Sequence, residues 1–289
     1  MQNAPLAGAL AAVRAPPAAC GEARGFPLVR PRAVSLSLAP AHPPMPRFYI
    51  PPHVWNPEKL ALDDGETHHA LSVLRMQAGD RATVFNGQGA EATVELASVE
   101  KGRVVLKKTG AGKTPPLGCE LVLGQAIPKG KNMELIVEKA TELGAAAIVP
   151  LMSERTIVRA TAGEALTKRE KWQRVAIEAA KQCGQNWLPR VRTPQTPKEF
   201  FQAGETFDLM LIASLQPDAR PIKEVLGEAA GKPPRRVLIL VGPEGDFTPA
   251  EVALAKAHGC RPVTLGPIIL RTETAAIYCL SVLGHELFG

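Results

Sequence analysis

Two short segments hold the side chains whose types and spacing could do chemistry. Gly242-Pro243-Glu244-Gly245-Asp246-Phe247 follows the apolar run Val237 to Val241, and Leu265 to Ala275 follows the shorter run Pro262 to Leu265. Loops that leave buried strands are where open α/β sheets place their ligands. The first has the glycines of a phosphate cradle but neither its G-x-G-x-x-G spacing nor its lysine. It carries two carboxylates instead, which would repel a pyrophosphate and tolerate a cation such as a sulfonium. On the loop alone, a plain turn whose acids sit at the positive end of the next helix is the favoured reading. In the second segment an apolar run ends in Arg271-Thr272-Glu273-Thr274. Such a run could wall an aromatic ring with backbone groups while Thr272 or Thr274 caps the following helix. An ordinary connection with an Arg–Glu surface pair remains open for it.

The elements that must position these loops are legible as alternating strands and helices from Leu117 onward. Strands are expected at Leu121–Ala126, Ala145–Leu151, Asp208–Leu215, Val237–Val241 and Pro262–Leu265. The continuous apolar runs among them are the signature of a parallel sheet buried on both faces. Helices are expected at Asn132–Leu143, closed by Gly144, at Lys168–Cys183, closed by Gly184, and at Thr274–Leu287. Another starts at Thr248-Pro249-Ala250-Glu251, with Thr as cap, Pro first and Glu third. This half is read as α/β. Residues 45–112 read differently, as short strands at Arg47–Ile50, Arg81–Phe85, Glu91–Leu96 and Arg103–Lys107. A turn, Asn86-Gly87-Gln88-Gly89, separates the second and third, and Thr67–Arg75 forms one helix with Leu71 and Leu74 on one face. Short strands with glycine turns suggest a small barrel, and Gly110–Pro116 a linker by composition.

The 289 residues carry a net charge of +6, of which +3 lies in residues 1–45. Residues 1–44 are rich in Ala, Pro and Arg and have no core pattern; they read as an Arg-rich targeting peptide, a disordered arm, or a misassigned extension with Met45 as the true start, the last being the expectation. Residues 129–192 hold twelve Lys or Arg against seven Glu, a plausible phosphate-facing patch. No run of about 18 apolar residues spans a membrane. Cys20, Cys119, Cys183, Cys260 and Cys279 form no C-x-x-C pair and are expected to be scattered buried thiols of a reducing compartment. No His, Cys, Asp or Glu cluster has metal-ligand spacing, so no metal is expected. His68 and His69 are adjacent and face different sides of their helix, so they are not expected to chelate a metal together.

At this point the two loops acquire a family context. "LVGPEGDFTPAE" and "LGPIILRTETAA" resemble the paired signatures of the RsmE family. Three further segments fit it in order: "HHALSVLRMQAGD", "PKGKNMELIVEKATELGAAAIVPLMSERT" and "AAKQCGQNWLPRV". The resemblance covers the chain from about Met45 to Gly289. It implies a PUA-like β-barrel, residues 45–112, followed by a SPOUT methyltransferase domain, residues 117–289, with a C-terminal trefoil knot, a rare exception to unknotted topology. It further implies S-adenosyl-L-methionine as cofactor, and N3 of a uridine in 16S ribosomal RNA of an assembled or nearly assembled small ribosomal subunit as substrate. A cytoplasmic homodimer follows, with Ile277, Leu280, Val282 and Leu283 of the last helix as a candidate interface or simply as core.

By the same resemblance the cofactor is held near Leu240, Gly242, Pro243, Glu244, Gly245, Leu265, Gly266, Leu270 and Thr272. Arg271 would hold a substrate carbonyl or phosphate, and Glu273 or Glu244 would accept the N3 proton or serve structurally. RNA contacts are assigned to Arg47, Arg75, Lys129, Lys131, Arg155 and Arg159. Lys168, Arg169, Lys171 and Arg174 are read as a solvated helix face. The chain departs from the family pattern at Asp246, where a second glycine is usual, and at Ile268, Gln185 and Trp187, where arginines are common. Trp187 is read as a core or surface tryptophan in preference to a base-stacking one. A ribose 2′-O-methyltransferase of the same fold and a catalytically weakened RNA-binding protein are the alternatives.

Overall fold

The computed structural model describes residues 45–100, 102–156, 161–228, 231 and 233–288; the expectations for residues 1–44 and for Arg159 fall outside them. The N-terminal part is one sheet of four strands: β1 (Arg47–Tyr49), β2 (Arg81–Phe85), β3 (Ala90–Glu100) and β4 (Arg103–Lys113), in that spatial order. β1 runs parallel to β2, and the other pairs are antiparallel. Phe48, Ile50, Ala82, Val84, Ala92 and Val94 form its core. The β3–β4 ladder continues past the apolar stretch. Gly110–Lys113, expected as linker, pairs with Ala90–Thr93 because a partner backbone supplies hydrogen bonds that composition does not reveal.

The expected single helix over Thr67–Arg75 is instead α1 (Asp64–His68) followed by a π-helical turn, His69–Val73. The wider turn resets the side-chain phase. Ala70 is therefore buried, whereas Leu74, expected beside Leu71, is 42% exposed. His69 packs edge-on against Phe48.

The remainder is a parallel sheet of seven strands: β5 (Glu120–Ala126), β6 (Ala147–Leu151), β7 (Arg190–Val191), β8 (Leu209–Ala213), β9 (Arg220–Pro221), β10 (Arg236–Val241) and β11 (Arg261–Thr264). Their order is β7-β6-β5-β10-β8-β11-β9. The helices are α2 (Asn132–Glu142), α3 (Ala162–Cys183), α4 (Pro197–Gln202), α5 (Ile222–Gly227), α6 (Pro249–Ala257) and α7 (Thr272–Leu287). Alternate residues of the central strands face opposite ways. Leu121, Leu123, Val237, Ile239 and Leu211 pack with α2, α3, α5 and α7, while Val122, Leu238, Leu240 and Ile212 pack with α4 and α6. The result is three layers with the sheet in the middle.

The helix signals are realised where their partners are local. Thr248 and Glu251 form a reciprocal cap on α6, and Gly144 and Gly184 end α2 and α3 with φ of +77° and +80°. α3 begins six residues before Lys168 because Thr161 and Glu164 build a second capping box. The short α4, α5, β7 and β9 had no periodicity long enough to find. Leu280 and Leu283 of α7 are 1% and 0% exposed, so the core account holds for them, while Tyr278 stands 41% exposed. Burial holds for Cys119, Cys260 and Cys279, whose thiols it pushes up to about 11, 12 and 12. Cys183 is exposed at the end of α3, contrary to expectation, because the helix stops there at the surface.

Candidate active site

The loops after β8, β10 and β11 leave neighbouring strands at the same sheet edge, and their residues line one pocket. Its wall takes Ala213 and Leu215 from the first loop, Val241 to Glu244 and Asp246 from the second, and Thr264 to Gly266 and Ile268 to Leu270 from the third. Thr272 and Ala275 of α7 complete it. The lining holds two carboxylates and no Lys, Arg or His.

The pocket is braced by hydrogen bonds from three directions. The Thr272 hydroxyl donates to the Gly242 carbonyl at 2.7 Å and accepts from the Gln125 amide at 2.9 Å. Thr272 is thus the first residue of α7 rather than its cap; Arg271 holds the cap position with extended backbone and no side-chain hydrogen bond. Asp246 adopts φ of +61°, the left-handed region its glycine counterpart would occupy. Asp tolerates it by bonding locally. Its carboxylate accepts from the Phe247 N–H at 2.7 Å and reaches the Leu215 N–H at 3.4 Å, joining the β10 loop to the β8 loop.

A buried carboxylate holds the third side. Glu251, 7% exposed, accepts from the Ser153 hydroxyl, the Glu154 N–H and the Thr248 N–H. It thereby fixes the loop after β6 against the start of α6. The next residue of that loop, Arg155, donates to the Gly245 carbonyl. From the loop after β5, the Lys129 N–H donates to Glu244 Oε1 at 2.9 Å. Lys129 and Arg155 therefore flank the loop that carries Glu244, and Lys131 follows at the start of α2.

Of the expected cofactor residues, Gly242, Pro243, Glu244, Leu265, Gly266, Leu270 and Thr272 line the pocket. Leu240 and Gly245 do not. Leu240 faces the opposite side of the sheet, where glycine at 124 makes room: a Cβ there would lie 2.4 Å from Leu240 Cδ2. Gly245 turns outward to meet Arg155. Arg271 and Glu273 stand at the mouth beside Thr272, Arg271 exposed and Glu273 half-buried, and the surface pair considered for them does not form. Gln125 escaped sequence reading altogether. Its strand is apolar, and only a fully buried amide in that run could have signalled a polar partner elsewhere.

Arg47 and Arg75 lie outside this group. Arg47 bonds the Asn186 side chain, pairs with Glu91 at 3.5 Å and stacks on Phe85, so it ties the N-terminal sheet to the loop after α3. Arg75 is exposed in the N-terminal part, with φ of +53°. Trp187 packs as expected, donating from its indole to the Thr114 carbonyl at 2.9 Å.

Comparison with known proteins accords with this arrangement. Residues 115–284 match the model of an RNA methyltransferase domain, and residues 62–109 that of an RNA methyltransferase PUA domain. The chain is 34% identical over 232 residues to ribosomal RNA small subunit methyltransferase E of Bacillus subtilis, covering 78% of this chain and 90% of that one. It is 34% identical over 240 residues to the Synechocystis protein of the same name, covering 81% and 76%. Among solved structures, the Neisseria gonorrhoeae methyltransferase E bound to S-adenosyl methionine superposes with a TM-score of 0.72 at 32% identity, covering 83% of this chain and 97% of that one. A Legionella pneumophila structure, a candidate methyltransferase with bound SAM, gives 0.75 at 34%, with the same coverage. A SPOUT-type α/β domain behind a PUA-like sheet, a pocket at the carboxyl ends of its central strands and these relatives agree: the chain belongs to the ribosomal RNA small subunit methyltransferase E family.

Proposed function

We propose that this protein transfers the methyl group of S-adenosyl-L-methionine to N3 of a uridine in 16S ribosomal RNA, acting in the cytoplasm on an assembled or nearly assembled small subunit. The observation that carries the reading is the pocket wall: aliphatic side chains and backbone groups for an adenosyl ring, Glu244 and Asp246 for a cation, and no basic side chain. That chemistry suits a sulfonium and disfavours a polyphosphate. The cavity is about 90 Å³, below the roughly 300–1,000 Å³ of small-molecule sites, so admission of the cofactor opens the rim. Gly266, with φ of +121° and open space around it, gives the β11 loop that freedom.

Bound there, the sulfonium supplies an electrophilic methyl group. Arg271 holds a uracil carbonyl or flanking phosphate in its planar fork. Uracil N3 carries a proton at neutral pH, and Glu244, which lines the pocket, accepts it in preference to Glu273, which does not. A nitrogen–carbon bond forms as the carbon–sulfur bond breaks, and the thioether departs neutral. Alignment supplies much of the rate. Lys129, Lys131 and Arg155 contact phosphates around the mouth, with Arg75 as a further contact on the N-terminal domain, residues 45–112.

In the same reading the segment from Leu265 to Arg271, which leaves β11 on one side of β8 and enters α7 beside β10, closes a trefoil knot. A second copy of the chain covers Ile268 and Ile269, 75% and 76% exposed at the rim, making a homodimer. Unmethylated small subunits, the purified protein and labelled cofactor test the assignment. Nuclease digestion and mass spectrometry should place the label on N3 of one uridine; a ribose-methylated product would reject it.

A further inference from the structure

The amino ends of the strands, at the edge opposite the cofactor pocket, carry a concentration of guanidinium groups. Arg190 opens β7, Arg236 opens β10, and Arg192 follows β7. Together with Arg169 of α3 and Glu205 they line a recess of about 650 Å³. Arg236 and Gly242 are separated by the length of β10, roughly 20 Å at about 3.3 Å per residue, so this recess is no part of the methyl-transfer site.

The four arginines divide into a frame and a free pair. Arg192 grips Glu205 with both terminal nitrogens, and Arg236 donates to the same carboxylate at 2.7 Å and to the Thr206 carbonyl at 2.9 Å. The hydrogen bond from Arg192, reinforced by Arg236, pulls the Glu205 carboxyl down to about 2. Arg236 also lies over the Phe207 ring, 4.5 Å from its centroid. Arg236 also pairs with Glu120 at 3.3 Å, so these two side chains are held in place with two carboxylates against their two charges. Arg169 and Arg190 are exposed and have no acidic partner among the described residues. Two free forks thus project beside a rigid rim whose own acid is already satisfied. Phosphate oxygens suit that arrangement, because guanidinium donors match them bidentately.

We infer that this recess is a second RNA-contact site, in which Arg169 and Arg190 bind backbone phosphates of the substrate on the face of the domain remote from the reacting base. The inference rests on the RNA substrate of the reading above. A substrate as large as a ribosomal subunit can reach both ends of the sheet, and a distant grip fixes orientation without entering the chemistry. It also changes the reading of Arg169, which on sequence belongs to a solvated helix face.

The test is the salt dependence of binding to unmethylated small subunits. Each lost phosphate contact lowers the slope of log affinity against log salt by roughly 0.7–0.9, so Arg169→Ala/Arg190→Ala should read about 1.5 below wild type. Its kcat/KM for subunits should fall, while calorimetric affinity for S-adenosyl-L-methionine and the melting temperature hold. Arg169→Lys/Arg190→Lys should keep the wild-type slope, since the slope counts charges. An unchanged slope in the Ala pair, or an equal loss in the Lys pair, overturns the proposal. Wild-type turnover on the same subunits separates this from the parent reading: methylation without a slope change sinks the recess alone, and absent methylation sinks the function.

Discussion

The hydroxyl of Thr272 donates to the carbonyl of Gly242 across 2.7 Å, joining the start of α7 to the loop after β10. Gln125 supplies the second bond, and its amide nitrogen is shared with the Ala126 carbonyl. Thr272→Val keeps the shape and removes the hydroxyl, leaving the part-buried Gly242 carbonyl without this donor and the buried Gln125 amide with the Ala126 carbonyl alone. The expected cost is about 1–3 kcal/mol, some 2–4 °C in Tm per kcal/mol for a domain of this size. Cofactor affinity by calorimetry should fall at least several-fold, because both loops lose their common anchor. Thr272→Ser should restore it. Unaltered affinity in the Val variant would show that the bridge does not shape the pocket.

Arg271 presents the opposite case. It is exposed, caps α7 through its backbone alone and has no side-chain partner among the described residues. Arg271→Ala should therefore leave Tm and cofactor affinity within error and abolish methyl transfer to small subunits. A variant that methylates at the wild-type rate would remove Arg271 from the chemistry.

These two residues mark how far the sequence carries. The Thr248 cap, the glycine stops at 144 and 184 and the buried strands were legible because each depends on neighbours a few positions away. The two chemical loops were legible for the same reason, being strand-to-helix turns of unusual composition. Thr272 lines the pocket as expected but does not cap α7; its bracing role is illegible because its partners, Gln125 and Gly242, lie 147 and 30 residues distant. The bond from Arg47 to Asn186 is illegible for the same reason, since the two lie 139 residues apart. The face that Leu240 takes is likewise illegible, because a strand alternates and the sequence does not say which face is which until Gly124 is set opposite it.

Glu205 makes a prediction about acid. Its folded carboxyl sits at about 2, held down first by the hydrogen bond from Arg192, against 4.5 for the free side chain. A depressed carboxyl contributes stability that is complete above about pH 4.5 and is lost as pH falls toward 2. The site is partly solvated, so the gain is discounted for screening. Glu205→Gln should lower urea stability at pH 7 modestly and flatten its fall between pH 4.5 and 2. Equal acid limbs for the variant and wild type would mean that the clamp contributes nothing.

The turn Gly87-Gln88-Gly89 supports a last prediction, about the seam between the N-terminal sheet and the methyltransferase domain. Gly89 has φ of +87°, and its N–H donates to the Asn186 carbonyl at 2.9 Å. A Cβ at this position would lie 2.6 Å from the Thr114 carbonyl oxygen and 2.8 Å from the Trp187 ring. Asn186, 4% exposed, bonds Glu91 and Thr114 at 2.8 Å each, and Lys181 pairs with Glu66 at 3.0 Å nearby. Gly89→Ala therefore meets backbone on one side and a held indole on the other, in addition to the left-handed conformation. The sum is about 2–5 kcal/mol. Because the damage is confined to the seam, the N-terminal sheet should loosen first, exposing residues 113–118 to limited proteolysis. RNA affinity should then fall while calorimetric cofactor affinity persists. Wild-type protease resistance and Tm would mean that the seam yields without cost and that the contacts around Asn186 do not set the relation of the two parts.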